Sequence, residues 1–151
     1  MSQLSPEERE KLRTCPTDYQ ALYSRTKDFH LAVSPETGVL LYMLSRSTGA
    51  RSIVEFGTSF GVSTLHLAAA LRDNGGGRLI STEFEPSKIM HARENLAAAG
   101  LSDLVEIREG DALVTLARDL PEKIDLVLLD GAKPLYRRFF RCSKNTCASA
   151  R

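Results

Sequence analysis

The sequence predicts an α/β fold built on a parallel sheet. Two observations predict it. Short apolar, β-rich runs alternate with longer helical segments between residues 52 and 129. An acid stands at or just beyond the end of each run: Glu55, Glu83, Asp111 and Asp130. Strand–helix alternation at this spacing calls for crossover connections and therefore parallel strands. Ligands of such sheets bind beyond the carboxyl ends of the strands, so four acids recurring there outline a candidate site.

The elements follow in order. Residues 1–34 read as an N-terminal helical segment with breaks. Ser5-Pro6-Glu7-Glu8 places a proline in a first turn and acids near the positive helix end, and Cys15-Pro16-Thr17-Asp18 restarts a helix running toward Asp28. Ser34-Pro35-Glu36 opens another helix, with Val39, Leu40, Met43 and Leu44 at helical spacing, that stops near Gly49. Ser52–Glu55 is the first strand, and Gly61–Arg72 is a helix with Leu65, Leu67, Ala68 and Leu71 mostly apolar. Asp73-Asn-Gly-Gly-Gly77 turns the chain into the second strand, Arg78–Glu83. Pro86–Ala99 is a helix with proline in its first turn and Gly100 past its end. Leu104–Arg108, Asp111–Asp119 and Ile124–Leu129 read as the third strand, a helix and the fourth strand.

Composition sets bounds on function. A chain of 151 residues supports one domain with a hydrophobic core. No apolar run suits a bilayer crossing, and the polar, acidic start Met1–Glu10 is no secretory leader, which places the expectation in the cytoplasm. Cys15, Cys142 and Cys147 are odd in number and scattered, so reduced thiols are expected rather than a disulfide framework or zinc site. The net charge of +1 conceals a division. The first 130 residues hold 14 basic and 19 acidic groups; residues 131–151 hold six basic groups and no acid. With no repeat or recognisable fold, that basic end (137–151) reads as a solvated, disordered tail rather than a nucleic-acid arm.

The chemistry concentrates in Ile53-Val-Glu-Phe-Gly-Thr-Ser-Phe-Gly-Val-Ser-Thr64. An apolar strand ends in an acid, passes two glycines and enters a helix. Such a loop can bring backbone close to a ligand and aim N–H groups at it. Gly57 and Gly61 lie four apart with no third glycine, so this is not the dinucleotide fingerprint. Ser63 and Thr64, in the first helical turn, can donate to a carboxylate or cap the helix. Glu83, ending the next strand, can hold a ribose by its hydroxyls. The blander readings are a helix-start glycine, a solvated Glu83, a capping Asp111, a turn at Asp130 and a surface Lys133. His30, His66 and His91 read as structural or exposed, and Tyr42, Met43 and Phe60 as core or pocket wall.

Val54-Glu-Phe-Gly-Thr-Ser-Phe-Gly-Val-Ser63, Thr82-Glu-Phe-Glu-Pro86, Arg108-Glu-Gly-Asp-Ala112 and Leu128-Leu-Asp-Gly-Ala-Lys133 together resemble the successive motifs of class I S-adenosylmethionine-dependent methyltransferases. They look most like the small O-methyltransferases of the catechol and caffeoyl-CoA type. The resemblance runs from about Ser34 to about Tyr136. It implies a Rossmann-like sheet with flanking helices, of which this chain supplies about four of seven strands. It implies a partial methyltransferase domain at 35–136. Glu55 and the backbone of Gly57, Thr58, Ser59 and Gly61 would line the methionine part of the donor, and Ser63 would bind its carboxylate. Glu83 would take the two ribose hydroxyls. Asp111 and Ala112 would border the adenine, with Phe84 and Asp130 completing the donor-binding set. Asp130 would be the first carboxylate ligand of a divalent cation such as Mg²⁺, and Lys133 would stand as general base.

By the same resemblance the function is methyl transfer from S-adenosylmethionine to a hydroxyl of a small phenolic or hydroxylated acceptor. Neither nucleic acid nor membrane is an expected partner. The family's next strand ends in an Asp-Asn pair that completes the metal site, and no such pair occurs here. The fourth strand would then be a bare apolar edge, open to pairing with another copy. The basic end reads as a truncation or frameshift, with impaired turnover expected. The alternatives are a non-catalytic S-adenosylmethionine-binding fragment or pairing subunit, and a nicotinamide-dependent oxidoreductase, against which the missing third glycine counts.

Overall fold

The computed structural model describes residues 32–131 together with Leu135 and Tyr136. The expected N-terminal helices over residues 1–31, Lys133 and the basic tail lie outside the described residues. Helix α1 spans Pro35–Ser47, strand β1 Ser52–Phe56, helix α2 Val62–Asp73 and strand β2 Arg78–Glu83. Helix α3 spans Pro86–Ala98, followed by a single 3₁₀ turn at Ser102–Leu104. Strand β3 (Val105–Glu109), the one-turn helix α4 (Ala112–Thr115) and strand β4 (Leu126–Leu129) complete the order.

The four strands form one parallel sheet in the order β3-β2-β1-β4. Period-two alternation divides the core between its faces. Ile53 and Leu79 join Leu67, Leu71 and Leu96 on the face covered by α2 and α3. Val54, Phe56 and Ile80 join Ala112, Leu116 and Leu135 on the other. β4 pairs with β1 and with no further strand among the described residues, so it forms the edge. Its Val127 is exposed where the strands β1 and β2 are almost wholly buried. Among the described residues no helix is long and apolar enough to cross a membrane.

Three expectations change. First, α1 buries the opposite side from the one its apolar spacing suggested. Gly38, Leu41 and Ser45 are buried, whereas Met43 is 60% exposed and Val39, Leu40 and Leu44 are exposed with it. The reason is close approach: a Cβ on Gly38 would run into the His66 ring of α2. The small residue sets the contact. Met43 is therefore neither core nor pocket wall. Tyr42 is half-buried, its hydroxyl donating to Asp73 at 2.7 Å.

Second, the helix expected over 111–119 is one turn long. The Arg108 guanidinium donates to the carbonyls of Thr115, Arg118 and Asp119 at 2.7–2.9 Å, turning them away from an α-helical path. Asp119 takes a left-handed φ of 53°. Third, β4 starts at Leu126 rather than Ile124. The Asp125 carboxylate accepts from the backbone N–H groups of Arg51 and Ser52, anchoring the strand's entry to the start of β1. Those N–H groups, with Arg51 foremost and Lys123 assisting, hold the Asp125 carboxyl below the usual range.

Arg108 is 12% exposed on its side chain and closes three carbonyl groups at once. Arg108→Ala should therefore destabilise the fold by about 2 kcal/mol, as for loss of charge-assisted bonds at a partly buried site. Urea unfolding with an unchanged denaturant slope is the measurement that checks it.

Candidate functional site

The chain leaves β1 at Phe56 and enters α2 at Val62 through a loop with unusual backbone. Gly57 has φ 104°, Ser59 φ 48° and Gly61 φ 85°. At Gly57 a side chain is excluded twice over, because a Cβ would lie 2.8 Å from the Asp130 carbonyl oxygen. Gly61 presses against Ala92 of α3 from the other side. Ser59 has no such freedom as a non-glycine residue; its N–H donates to Glu83 Oε2 at 2.9 Å, which holds the turn in place.

The loop N–H groups are mostly spent inside the protein. Gly57 and Thr58 both donate to the Thr82 carbonyl, and Gly61 donates to the Thr58 carbonyl. What remains for a ligand is the first turn of α2. That helix has no side-chain cap and no acid in its first turn, and Val62 and Ser63 line the cleft beside it. The positive end of a helix so exposed favours a carboxylate.

Glu55 stands behind this wall. It is fully buried and is not a lining residue of the cleft. Ser63 Oγ donates to its Oε1 at 2.5 Å; Thr64 Oγ1 and Ser81 Oγ donate to its Oε2 at 2.6 Å. Ser81 is the register partner of Glu55 on β2, so pleat and pairing bring the two to the same face. Ser81 Oγ also contacts Thr58 Oγ1 at 2.5 Å. Burial pushes the Glu55 carboxyl above the usual range, against the pull of Ser63, Ser81 and Thr64, and the charge of Asp130 adds to the rise. The hydroxyls of Ser63 and Thr64 thus bond a protein carboxyl, with Glu55 behind the residues that line the cleft. Ser63 reaches the cleft as well, through the same first turn.

Glu83 lies at the carboxyl end of β2 and is 9% exposed. Its Oε1 accepts from the N–H groups of Phe84 (2.9 Å) and Glu85 (3.1 Å), and its Oε2 from Ser59. A carboxylate has about four lone-pair sites, so roughly one remains for a ligand hydroxyl. Asp111 caps α4, its Oδ1 accepting from the Leu113 N–H at 2.8 Å, and it lines the cleft with Ala112. Asp130 lies just past β4, with its N–H donating to the Phe56 carbonyl, and is exposed at the cleft mouth.

These residues surround one cleft with about 780 Å³ of space not filled by protein, counting the part open to solvent. Gly57, Thr58, Ser59, Ser63, Glu83, Phe84, Asp111, Ala112 and Asp130 all line it. Ser59 Oγ is buried there without a hydrogen-bond partner, a polar atom awaiting one. The size and the few convergent polar groups suit a small-molecule site. Two lining residues with polar side chains were not read as ligand-facing from sequence: Thr82, and Lys88 in the first turn of α3. The available signal for Lys88 was a cation at a helix start, where the dipole disfavours it.

Known proteins give the site a context. The profile of the family described as "Methyltransferase domain" matches residues 54–144. A catechol O-methyltransferase of Niastella koreensis is 37% identical over 114 residues, covering 74% of this chain and 51% of the relative. The crystal structure of the O-methyltransferase TomG from Streptomyces achromogenes, in complex with S-adenosylmethionine, is 35% identical with a TM-score of 0.70. That match covers 95% of this chain and 61% of TomG. An O-methyltransferase from Bacillus cereus in complex with S-adenosylhomocysteine superposes with a TM-score of 0.72 at 28% identity, covering 92% of this chain and 66% of that one. The chain spans about half the length of the curated relatives it matches.

The Glu55 cluster yields a pH signature. A carboxyl whose folded pKa is raised contributes stability that is full below its unfolded value, about 4.3, and is lost as pH rises through the folded value. Glu55→Gln cannot titrate. Its stability relative to wild type should rise as pH climbs above about 4, read from urea unfolding at each pH. A constant difference between the two proteins would contradict this.

Proposed function

Because this chain belongs to the class I S-adenosylmethionine-dependent O-methyltransferase family, we propose that its cleft binds S-adenosylmethionine and that the protein transfers the methyl group to a hydroxyl of a small acceptor. The observation that carries this reading is the convergence of three groups in one cleft: the Glu83 carboxylate, the partnerless Ser59 hydroxyl and the uncapped first turn of α2. Each suits a different part of an amino-acid-bearing nucleoside.

Bound S-adenosylmethionine would supply a methyl group already activated on a sulfonium. The chain's own work is then alignment and exclusion of water. Glu83 would accept from a ribose hydroxyl, and the α2 first turn would hold the amino-acid carboxylate. Asp111, Ala112 and Phe84 would border the base. Lys133 would take the acceptor's proton, in keeping with the resemblance. A phenolic or similar hydroxylated acceptor and a cytoplasmic setting belong to the same reading, as does pairing of two copies along β4.

Magnesium does not fit the described residues. Among them no group of three or more His, Cys, Asp or Glu side chains could hold a metal ion, and Asp130 alone is a poor donor set for a hard cation. No step of the proposed transfer is routed through a metal.

Calorimetric titration with S-adenosylhomocysteine tests the reading on the donor side. Wild type should bind, and Glu83→Ala should weaken binding by about 30-fold or more, through the lost ligand bond and the released Ser59 turn. Unchanged affinity in that variant would remove the basis of the assignment.

A further inference from the structure

Lys88 stands where helix electrostatics disfavours a cation. It is the third residue of α3, in the turn where the helix dipole is positive. The residue is only 6% exposed. Among the described residues its ammonium has no ion pair or hydrogen bond; its contact is with the Phe60 ring, 5.6 Å from the centroid. It nevertheless lines the same cleft as Glu83, Ser59 and Phe84. The stem is buried and the ammonium meets the cleft, set against the helix dipole with no acid beside it among the described residues, which costs stability. Conflicts of this kind between local preference and structure concentrate at binding sites.

We propose that Lys88 is a donor-binding residue that gives a hydrogen bond to a ribose hydroxyl oxygen of the nucleoside, complementing Glu83. This rests on the reading that the cleft takes an S-adenosyl nucleoside. Glu83 can only accept, and three backbone N–H groups already occupy most of its capacity. Each hydroxyl of a diol both donates and accepts. A carboxylate can take a proton from a hydroxyl but gives none back, so the lone pairs of the diol oxygens still need a donor. Lysine is donor-only, with three N–H groups. The α3 helix that carries it begins directly after the Glu83–Glu85 corner and is tied to the loop by Asn95, whose amide donates to the Phe60 carbonyl at 3.0 Å. Lys88 is therefore carried on a rigid element beside the acid it would complement.

The competing role is packing: a lysine stem and ammonium covering Phe60. Packing is indifferent to hydroxyls on the ligand, and this separates the two. S-adenosylhomocysteine and its 2′-deoxy and 3′-deoxy analogues are titrated calorimetrically into wild type, Lys88→Met and Lys88→Gln, each checked for folding by thermal unfolding. Methionine keeps the cover over the ring. Lys88→Met should weaken S-adenosylhomocysteine about 10-fold, and the loss should shrink to under about twofold for one deoxy analogue. Lys88→Gln retains an N–H donor and should lose about threefold, with the same dependence on that hydroxyl. That arm alone decides the matter should the methionine variant not fold. An equal loss for all three ligands, or no loss, overturns the role of Lys88. A wild-type chain that binds none of them overturns the cleft reading itself.

Discussion

The functional end of this molecule hangs on one buried carboxyl. Among the described residues Glu55 meets no cation, and it is fully buried. Its cost of burial is offset by three hydroxyl donors drawn from two elements: Ser63 and Thr64 from α2, and Ser81 from β2. Two consecutive hydroxyls in one helical turn, bonded to the two oxygens of one carboxyl, fix both the position and the rotation of that helix over the sheet. The direction of the open helix end follows from this. So does the place of Thr58, which shares Ser81. A cluster of this kind is satisfied as a unit, so the loss of any one member reaches the others.

The glycine loop is then not a flexible cradle. Its N–H groups are consumed by Thr82, Thr58 and Glu83, and its shape is enforced from outside. The end of β4 closes on Gly57, and α3 closes on Gly61. Glu83 takes part in both tasks, pinning Ser59 while offering its remaining lone pair to the cleft. This is preorganisation: the groups aimed at the ligand are held by packing and hydrogen bonds among groups that never touch it. Ser59 Oγ and the Lys88 ammonium, which have no hydrogen-bond partner among the described residues, both lie on the cleft wall.

The sheet is asymmetric about this site. β1 and β2 are buried on both faces, as parallel strands demand, whereas β4 is half-exposed along an unpaired side among the described residues. Asp125 anchors its entry, and beyond its exit the Tyr136 hydroxyl donates to the Leu129 carbonyl at 2.8 Å while its ring meets Phe56 edge-on. β4 is thus secured at both ends to the site-bearing strand. Asp130, one residue past β4, lies at the cleft mouth.

Much of this was legible in the amino-acid order. Strand–helix alternation, proline and glycine at helix ends, and an acid after each strand depend on neighbours within a few residues, and they specified a parallel α/β sheet with Glu83, Asp111 and Asp130 at its carboxyl edge. What tertiary structure decided were matters of partnership across long separations. The bond from Ser81 to Glu55, 26 residues away, could not be read from the strand-end position of that acid. The apolar spacing of α1 named the wrong face because a glycine contact with His66 outweighed it. Helix α4 ended early because Arg108 captured its carbonyls. Lys88 gained meaning only once its place on the cleft, with no acid partner among the described residues, was visible. Local propensity is written in the chain; the satisfaction of buried polar groups is a property of the packed whole.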